Sequence, residues 1–229
     1  MIRLSRRDFL GLGAGAAAAT LLLDTVSLAS RALAATGEAD PLARLMAGNQ
    51  RYVASRLAHP NQNAKRRAAV ARKQQPFAAV LGCADSRVPP EVVLDQGIGD
   101  LFVVRVAGNV ADSPGIGSLE YAVDQLGVRL VMVLGHSRCG AVDAALKAAP
   151  GADLTPGLRS LVEAIQPAIL PVKDRPGDML DNAVRANVAH VVAQLRSTTP
   201  ILASRAAEGK LRIVGAHYDV ETGAVQLLS

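Results

Sequence analysis

Residues 130–140 read Leu130-Val131-Met132-Val133-Leu134-Gly135-His136-Ser137-Arg138-Cys139-Gly140. Five consecutive apolar residues without a polar break suit a strand buried on both faces, as in a parallel sheet covered by helices. The run ends at Gly135, and the alanine-rich stretch 138–149 then has the composition of a helix. Working outward, 77–81 (Phe-Ala-Ala-Val-Leu) and 101–104 (Leu-Phe-Val-Val) repeat the short apolar signature, and 118–126 between two of these runs is helical in spacing. Further helices are expected at 42–53, 64–73, 158–170 and 179–196. The chain closes on 211–214 and 224–228, two apolar runs flanking Glu221-Thr222-Gly223, a pattern that predicts a hairpin.

Strands alternating with helices predict an α/β domain. The expectation is a single domain whose central, mostly parallel sheet of about five strands is flanked by helices, with an N-terminal helical arm. In such sheets, ligands bind beyond the carboxyl ends of the strands at a topological switch point. Two clusters of chemically capable residues fall at such ends. Cys83 follows the 77–81 strand and His136 follows the 130–134 strand.

The first 34 residues belong to a different kind of segment. Ser5-Arg6-Arg7-Asp8-Phe9-Leu10 resembles the twin-arginine export signature, a weakly hydrophobic stretch follows over 10–23, and Ala32-Leu33-Ala34 offers a cleavage site. The apolar stretch is shorter than the roughly 20 residues a membrane span requires, so no stable membrane insertion is expected after cleavage. Gly11-Leu12-Gly13-Ala14-Gly15 looks like a dinucleotide loop but has no strand before it. The expected division is therefore 1–34 as signal and 35–229 as one domain, exported to the periplasm or the extracellular space.

Charge argues against nucleic acid as a partner. The chain carries 25 Lys and Arg against 20 Asp and Glu, and four of those arginines lie in the signal. With no Trp, three Phe and three Tyr, it offers few stacking platforms. Only two cysteines are present. In an oxidising compartment two cysteines first suggest a disulfide. A protein exported already folded would instead carry its thiols out with a metal in place.

Their neighbours favour the metal. In Cys83-Ala84-Asp85-Ser86-Arg87, residues two apart share a side if the chain leaves the strand extended, so Cys83, Asp85 and Arg87 face one pocket. His136 and Cys139 are three apart, and a turn entering a helix brings both side chains together. The helix N-terminus favours a thiolate at Cys139. Two thiolates and one imidazole are a donor set suited to Zn²⁺, and three protein ligands leave a fourth position for water, as in catalytic sites.

Cys-x-Asp-x-Arg followed about fifty residues later by Gly-His-x-x-Cys-Gly resembles the β-class carbonic anhydrase family. The resemblance runs from Gln74 to Gly215-x-x-Tyr218. It implies one Zn²⁺ per subunit on Cys83, His136 and Cys139, and a catalytic dyad of Asp85 and Arg87. Gln74 (with Gln75 beside it), Phe102 and Tyr121 match pocket positions of the plant-like branch, and Val88 is expected to add wall. The implied activity is reversible hydration of carbon dioxide to bicarbonate and a proton by zinc-bound hydroxide. Asp85 orients the nucleophile, Arg87 holds Asp85 ionised, and a closed state puts Asp85 on the metal in place of water. Pocket residues shared across subunits imply a homodimer or larger homo-oligomer. The competing readings are a carbon disulfide or carbonyl sulfide hydrolase on the same scaffold and a non-catalytic exported zinc-binding protein.

Overall fold

The strands centre on the apolar runs of the sequence. In the computed structural model, which describes residues 40–149, 151–197 and 199–228, β1 is Ala78–Gly82, β2 Leu101–Arg105, β3 Leu130–His136, β4 Arg212–Tyr218 and β5 Val225–Leu228. The signal assigned to 1–34, with its cleavage site, lies outside the described residues. The sheet order is β2-β1-β3-β4-β5. The first four strands run parallel, and β5 returns antiparallel to β4, closing the expected hairpin from Tyr218↔Val225. The chain leaves β1 to build β2 on one side and then crosses to β3 on the other. The β1/β3 boundary is therefore the switch point, where a ligand site is expected.

Alternation along the strands sorts two cores. Ala79, Leu81, Val131, Val133 and Ile213 point to one face. There they meet the helices α4 (Ser113–Asp124), α7 (Met179–Ser197) and α8 (Pro200–Ala207). Ala78, Val80, Leu130, Met132, Leu134 and Ala216 point to the other, against α1 (Pro41–Val53) and the short α3 (Pro90–Val93). Burying each Leu or Val contributes about 1.5–3 kcal/mol, which is what binds these layers. Gly135 and Gly215 let α7 approach closely. A Cβ on either would stand 2.4 Å and 2.8 Å from Val188 methyl carbons.

A third core lies over the carboxyl ends of the strands. It joins Cys83 and Cys139 to α5 (Gly140–Lys147), α6 (Pro156–Ile169) and the first turns of α7. At the same carboxyl end of the sheet, the buried Asn49 of α1 donates to Val93 O and Gly223 O and accepts from Val225 N, pinning the β4–β5 turn.

Several boundaries differ from expectation for identifiable reasons. The helix expected over 64–73 is α2 (Ala64–Val70); it buries no residue, so no packing holds a further turn. The helix expected from 118 begins at Ser113, where Asp112 caps Gly115 N and Pro114 sits in the first turn. The helix expected from 138 starts at Gly140, because Arg138 has φ 56, outside the right-handed region. The strand expected over 130–134 runs on to His136, so the imidazole stands on the last strand residue and does not follow it. The helices α3 and α8 were not anticipated, though Pro90 and Pro200 each mark a helix start.

Candidate metal centre

Neighbouring strand ends bring the ligand candidates together. Gly82 of β1 pairs with Leu134 of β3, so Cys83, one residue past that pair, and His136, two residues past it, emerge on either side of the switch point. Cys139 arrives as the N-cap residue of α5 after a two-residue turn. The three ligand atoms lie within 4.8 Å of one another, and all three residues are buried. The sulfurs are 3.9 Å apart and both thiols are free. Zinc–sulfur bonds of about 2.3 Å at the tetrahedral angle would put two sulfurs about 3.8 Å apart.

The imidazole is oriented by its own loop. His136 Nδ1 lies 2.9 Å from Ser137 O. A carbonyl only accepts, so Nδ1 carries the hydrogen and the lone pair belongs to Nε2. That Nε2 is fully buried and has no hydrogen-bond partner. A nitrogen lone pair left bare in the interior is costly unless a ligand meets it. The sulfurs make the same demand. The Cys139 S–H hydrogen bond, helped by the Asp85 and Gly108 backbone amides against the cost of burial, lowers the Cys83 thiol to about 4. That charge on Cys83, together with burial, pushes the Cys139 thiol up. A second thiolate thus needs a cation. The donor set, its spacing and the bare Nε2 fit a zinc ion.

Asp85 and Arg87 adjoin this cluster. Asp85 Oδ2 is 3.8 Å from His136 Nε2. The Arg87 guanidinium donates to both carboxylate oxygens at 2.9 and 2.7 Å, and Arg87 N adds a third bond at 2.9 Å. The guanidinium hydrogen bonds first, against burial and with help from the backbone bond, hold the Asp85 carboxyl well below the ordinary carboxylate range. Arg87 Nη2 also reaches Arg138 O at 3.2 Å, tying the two ligand loops together.

Sequence reasoning missed Arg105. At the end of β2, it donates through Nε to Cys83 O at 3.0 Å and through Nη2 to Asp85 O at 2.6 Å. The signal was available: a lone arginine closing an apolar strand at the carboxyl edge of the sheet. Also missed was Gly108, whose N–H donates to Cys83 Sγ at 3.2 Å.

The expected pocket residues are placed less uniformly. Phe102 and Tyr121 form an aromatic pair at the β2 edge, with centroids 6.3 Å apart, and Tyr121 is 48% exposed. Gln74 and Gln75 are both exposed beyond α2. Val88, expected to add wall, is fully buried among the residues packed under α1 and α3.

The sequence profile of the carbonic anhydrase family matches residues 78–225, which contain all three ligand candidates and both dyad residues. The chain belongs to this family. It is 44% identical over 184 residues to "Carbonic anhydrase 2" of Mycobacterium tuberculosis, covering 80% of this chain and 89% of that protein. It is 36% identical over 171 residues to a carbonic anhydrase of Pseudomonas aeruginosa, covering 69% and 76%. Among solved structures, the β-carbonic anhydrase CcaA superposes with a TM-score of 0.67 at 27% identity, over 83% of this chain and 96% of that one. The Coccomyxa β-carbonic anhydrase bound to acetazolamide gives 0.65 at 28%, over 83% and 87%.

Proposed function

We propose that this chain is a zinc-dependent β-carbonic anhydrase that interconverts carbon dioxide with bicarbonate and a proton. The observation that carries the reading is the buried, unpartnered His136 Nε2 facing two sulfurs at tetrahedral spacing, with the Asp85 carboxylate beside it. Cys83, His136 and Cys139 would hold the metal. Zinc when bound acidifies water to a nucleophile near neutral pH, chemistry for which carbonic anhydrase is itself the standard example.

The protein supplies charge, orientation and a hydrogen-bond acceptor. Two thiolates cancel the charge of the divalent ion, which makes water harder to ionise than at an all-histidine site. Asp85 opposes that penalty. As an ionised carboxylate it only accepts hydrogen bonds, so a hydroxyl beside it must turn its hydrogen toward Asp85 and a lone pair toward the substrate carbon. Arg87 keeps Asp85 ionised and fixed by a bidentate fork, the geometry in which Arg and carboxylate bind most strongly. The same carboxylate is close enough to the ligand cluster to compete for the fourth position, which supports a closed state governed by the Asp85–Arg87 pair.

Gln74, Phe102 and Tyr121 are proposed to line the pocket of a plant-like enzyme once a second copy packs on the β2 edge. Support comes from the half-buried Phe102 and exposed Tyr121 at a strand with one neighbour. The assembly is therefore a homodimer or larger. Residues 1–34 are proposed as a twin-arginine signal delivering the folded, metal-loaded domain 35–229 to the periplasm or beyond. The support is the Ser5–Leu10 hexapeptide and two thiols that would otherwise be oxidised outside. No helix among the described residues is long and apolar enough to cross a membrane. The relatives' names favour neither a sulfur-substrate hydrolase nor a non-catalytic zinc protein.

The test combines metal analysis with stopped-flow hydration of carbon dioxide, carbonyl sulfide and carbon disulfide. One zinc per chain and hydration of carbon dioxide are expected, both lost in Cys83→Ala. Retention of zinc and activity in that variant would overturn the ligand assignment. Fusing residues 1–34 to a reporter tests export: transport should stop when Arg6 and Arg7 are both replaced by Lys.

A further inference from the structure

The turn Ala107–Asn109 does something unusual for so short a segment. Gly108 has φ 67 and Asn109 φ 48, two consecutive left-handed residues, and between them they direct the Gly108 N–H at Cys83 Sγ. The backbone there is confined. A Cβ on Gly108 would stand 2.7 Å from Ile165 Cδ1 and 3.3 Å from Ala141 Cβ, so the turn is pressed between α5, α6 and the sulfur. A left-handed non-glycine residue in such a place persists only if its surroundings impose it.

What imposes it comes from far along the chain. Asn187 of α7 donates through Nδ2 to Gly108 O at 2.8 Å, a buried bond spanning 79 positions. Asn187 is 1% exposed and stands on an apolar helix face among Ala183, Val184, Val188 and Val191. Packing alone would favour an apolar residue there. Its Oδ1 has no partner, so the amide is kept in the interior at a cost and makes one bond. Helix α7 does not need that bond to stay on the sheet, since Val188 already meets the backbone of β3 and β4 at Gly135 and Gly215.

The geometry points to Asn187 as a positioning residue for the metal centre: by holding Gly108 it keeps an N–H on the Cys83 sulfur. This inference rests on the zinc reading above. A hydrogen bond to a coordinated thiolate draws electron density from sulfur, leaving the metal more electrophilic, and fixes the direction in which the sulfur points. At a site whose two thiolates already cancel the metal charge, that withdrawal favours water activation. Residues that hold ligands from behind typically change metal affinity or activity by about 10–100-fold when replaced.

The test replaces Asn187 by Leu, which fits the apolar face and removes the donor. Wild type and Asn187→Leu are loaded with cobalt(II) and the sulfur-to-cobalt charge-transfer band is recorded. Zinc release to a chromophoric chelator is timed in parallel. The variant's sulfur is expected to be more electron-rich, so its band moves to longer wavelength; because that sulfur is no longer held in its direction, zinc leaves at least about 10-fold faster. The melting temperature of the zinc-loaded variant should fall more than that of the zinc-free variant. A band and release rate equal to wild type, with both melting temperatures lowered equally, would make Asn187 structural and overturn the inference. If Asn187→Leu does not fold, Asn187→Ala carries the same comparison. A wild-type protein without any sulfur-to-cobalt band would overturn the zinc reading itself.

Discussion

Arg105→Met removes the guanidinium that grips the loop carrying Cys83 and Asp85, while keeping most of the side-chain length. Two hydrogen bonds to carbonyl oxygens are lost, at 3.0 Å to Cys83 and 2.6 Å to Asp85. Bonds from a charged donor contribute about 1.5–3 kcal/mol when sheltered, which suits the carbonyl of the buried Cys83. The second bond faces solvent and is worth nearer 0.2–1 kcal/mol, roughly what exposed charged pairs contribute. The expected destabilisation is therefore about 2–4 kcal/mol, read as a shift in urea midpoint with unchanged slope. Catalysis should suffer more than stability implies, because a misplacement of about 1 Å at a reacting group costs about 100-fold. Arg105→Lys can reach one carbonyl but not span both, so it should recover less than half of either loss. A stability change below about 0.5 kcal/mol, with kcat/KM for carbon dioxide hydration within twofold of wild type, would refute the clamp.

Arg87→Ala should retain zinc yet lose carbon dioxide hydration by at least about 10-fold, since it removes the fork holding Asp85; equal activity would remove both the dyad and the gate. Gly135→Ala should cost about 1–3 kcal/mol by driving a methyl into Val188, and Val188→Ala on top should recover more than half, as thermal melts of the double variant would show. Asp95 gives a pH signature away from the metal. Burial raises its carboxyl, but the Ala58 amide, the Arg51 guanidinium and the His59 amide outweigh that and leave it below its ordinary value of 3.8. Its folded pKa is depressed, so its stabilisation is complete above the unfolded pKa and is lost as pH falls below it. Urea midpoints of wild type and Asp95→Asn should therefore differ at pH 6 and converge toward pH 3; a constant gap would exclude the linkage.

The sheet was legible because its strands are built on short continuous apolar runs, fully buried in β1 and β3 and half-buried in the edge strand β2. The runs at 77–81, 101–104 and 130–134 each became a strand within two residues of expectation at either end. Their order was not legible, since nothing local says that β2 lies outside β1 while β3 crosses to its other side. For the site, spacing alone placed Asp85 and Arg87 on one side of the loop, and the structure pairs them. Arg105, Gly108 and Asn187 escaped because they act through backbone atoms. A carbonyl held by Arg105 or an amide aimed by Asn187 leaves no pattern in the residues it touches.

The two sulfurs that face each other across the switch point are 56 positions apart in the chain. A metal joining them is therefore also a cross-link. Closing a loop of that length in an unfolded chain costs about 4 kcal/mol of conformational entropy in the chain-entropy description of disulfides. A zinc ion retained through unfolding would take that freedom from the denatured ensemble, as a covalent staple does. It would do so without oxidising either thiol. The protein can thus have the reinforcement typical of a secreted domain while keeping both sulfurs as ligands.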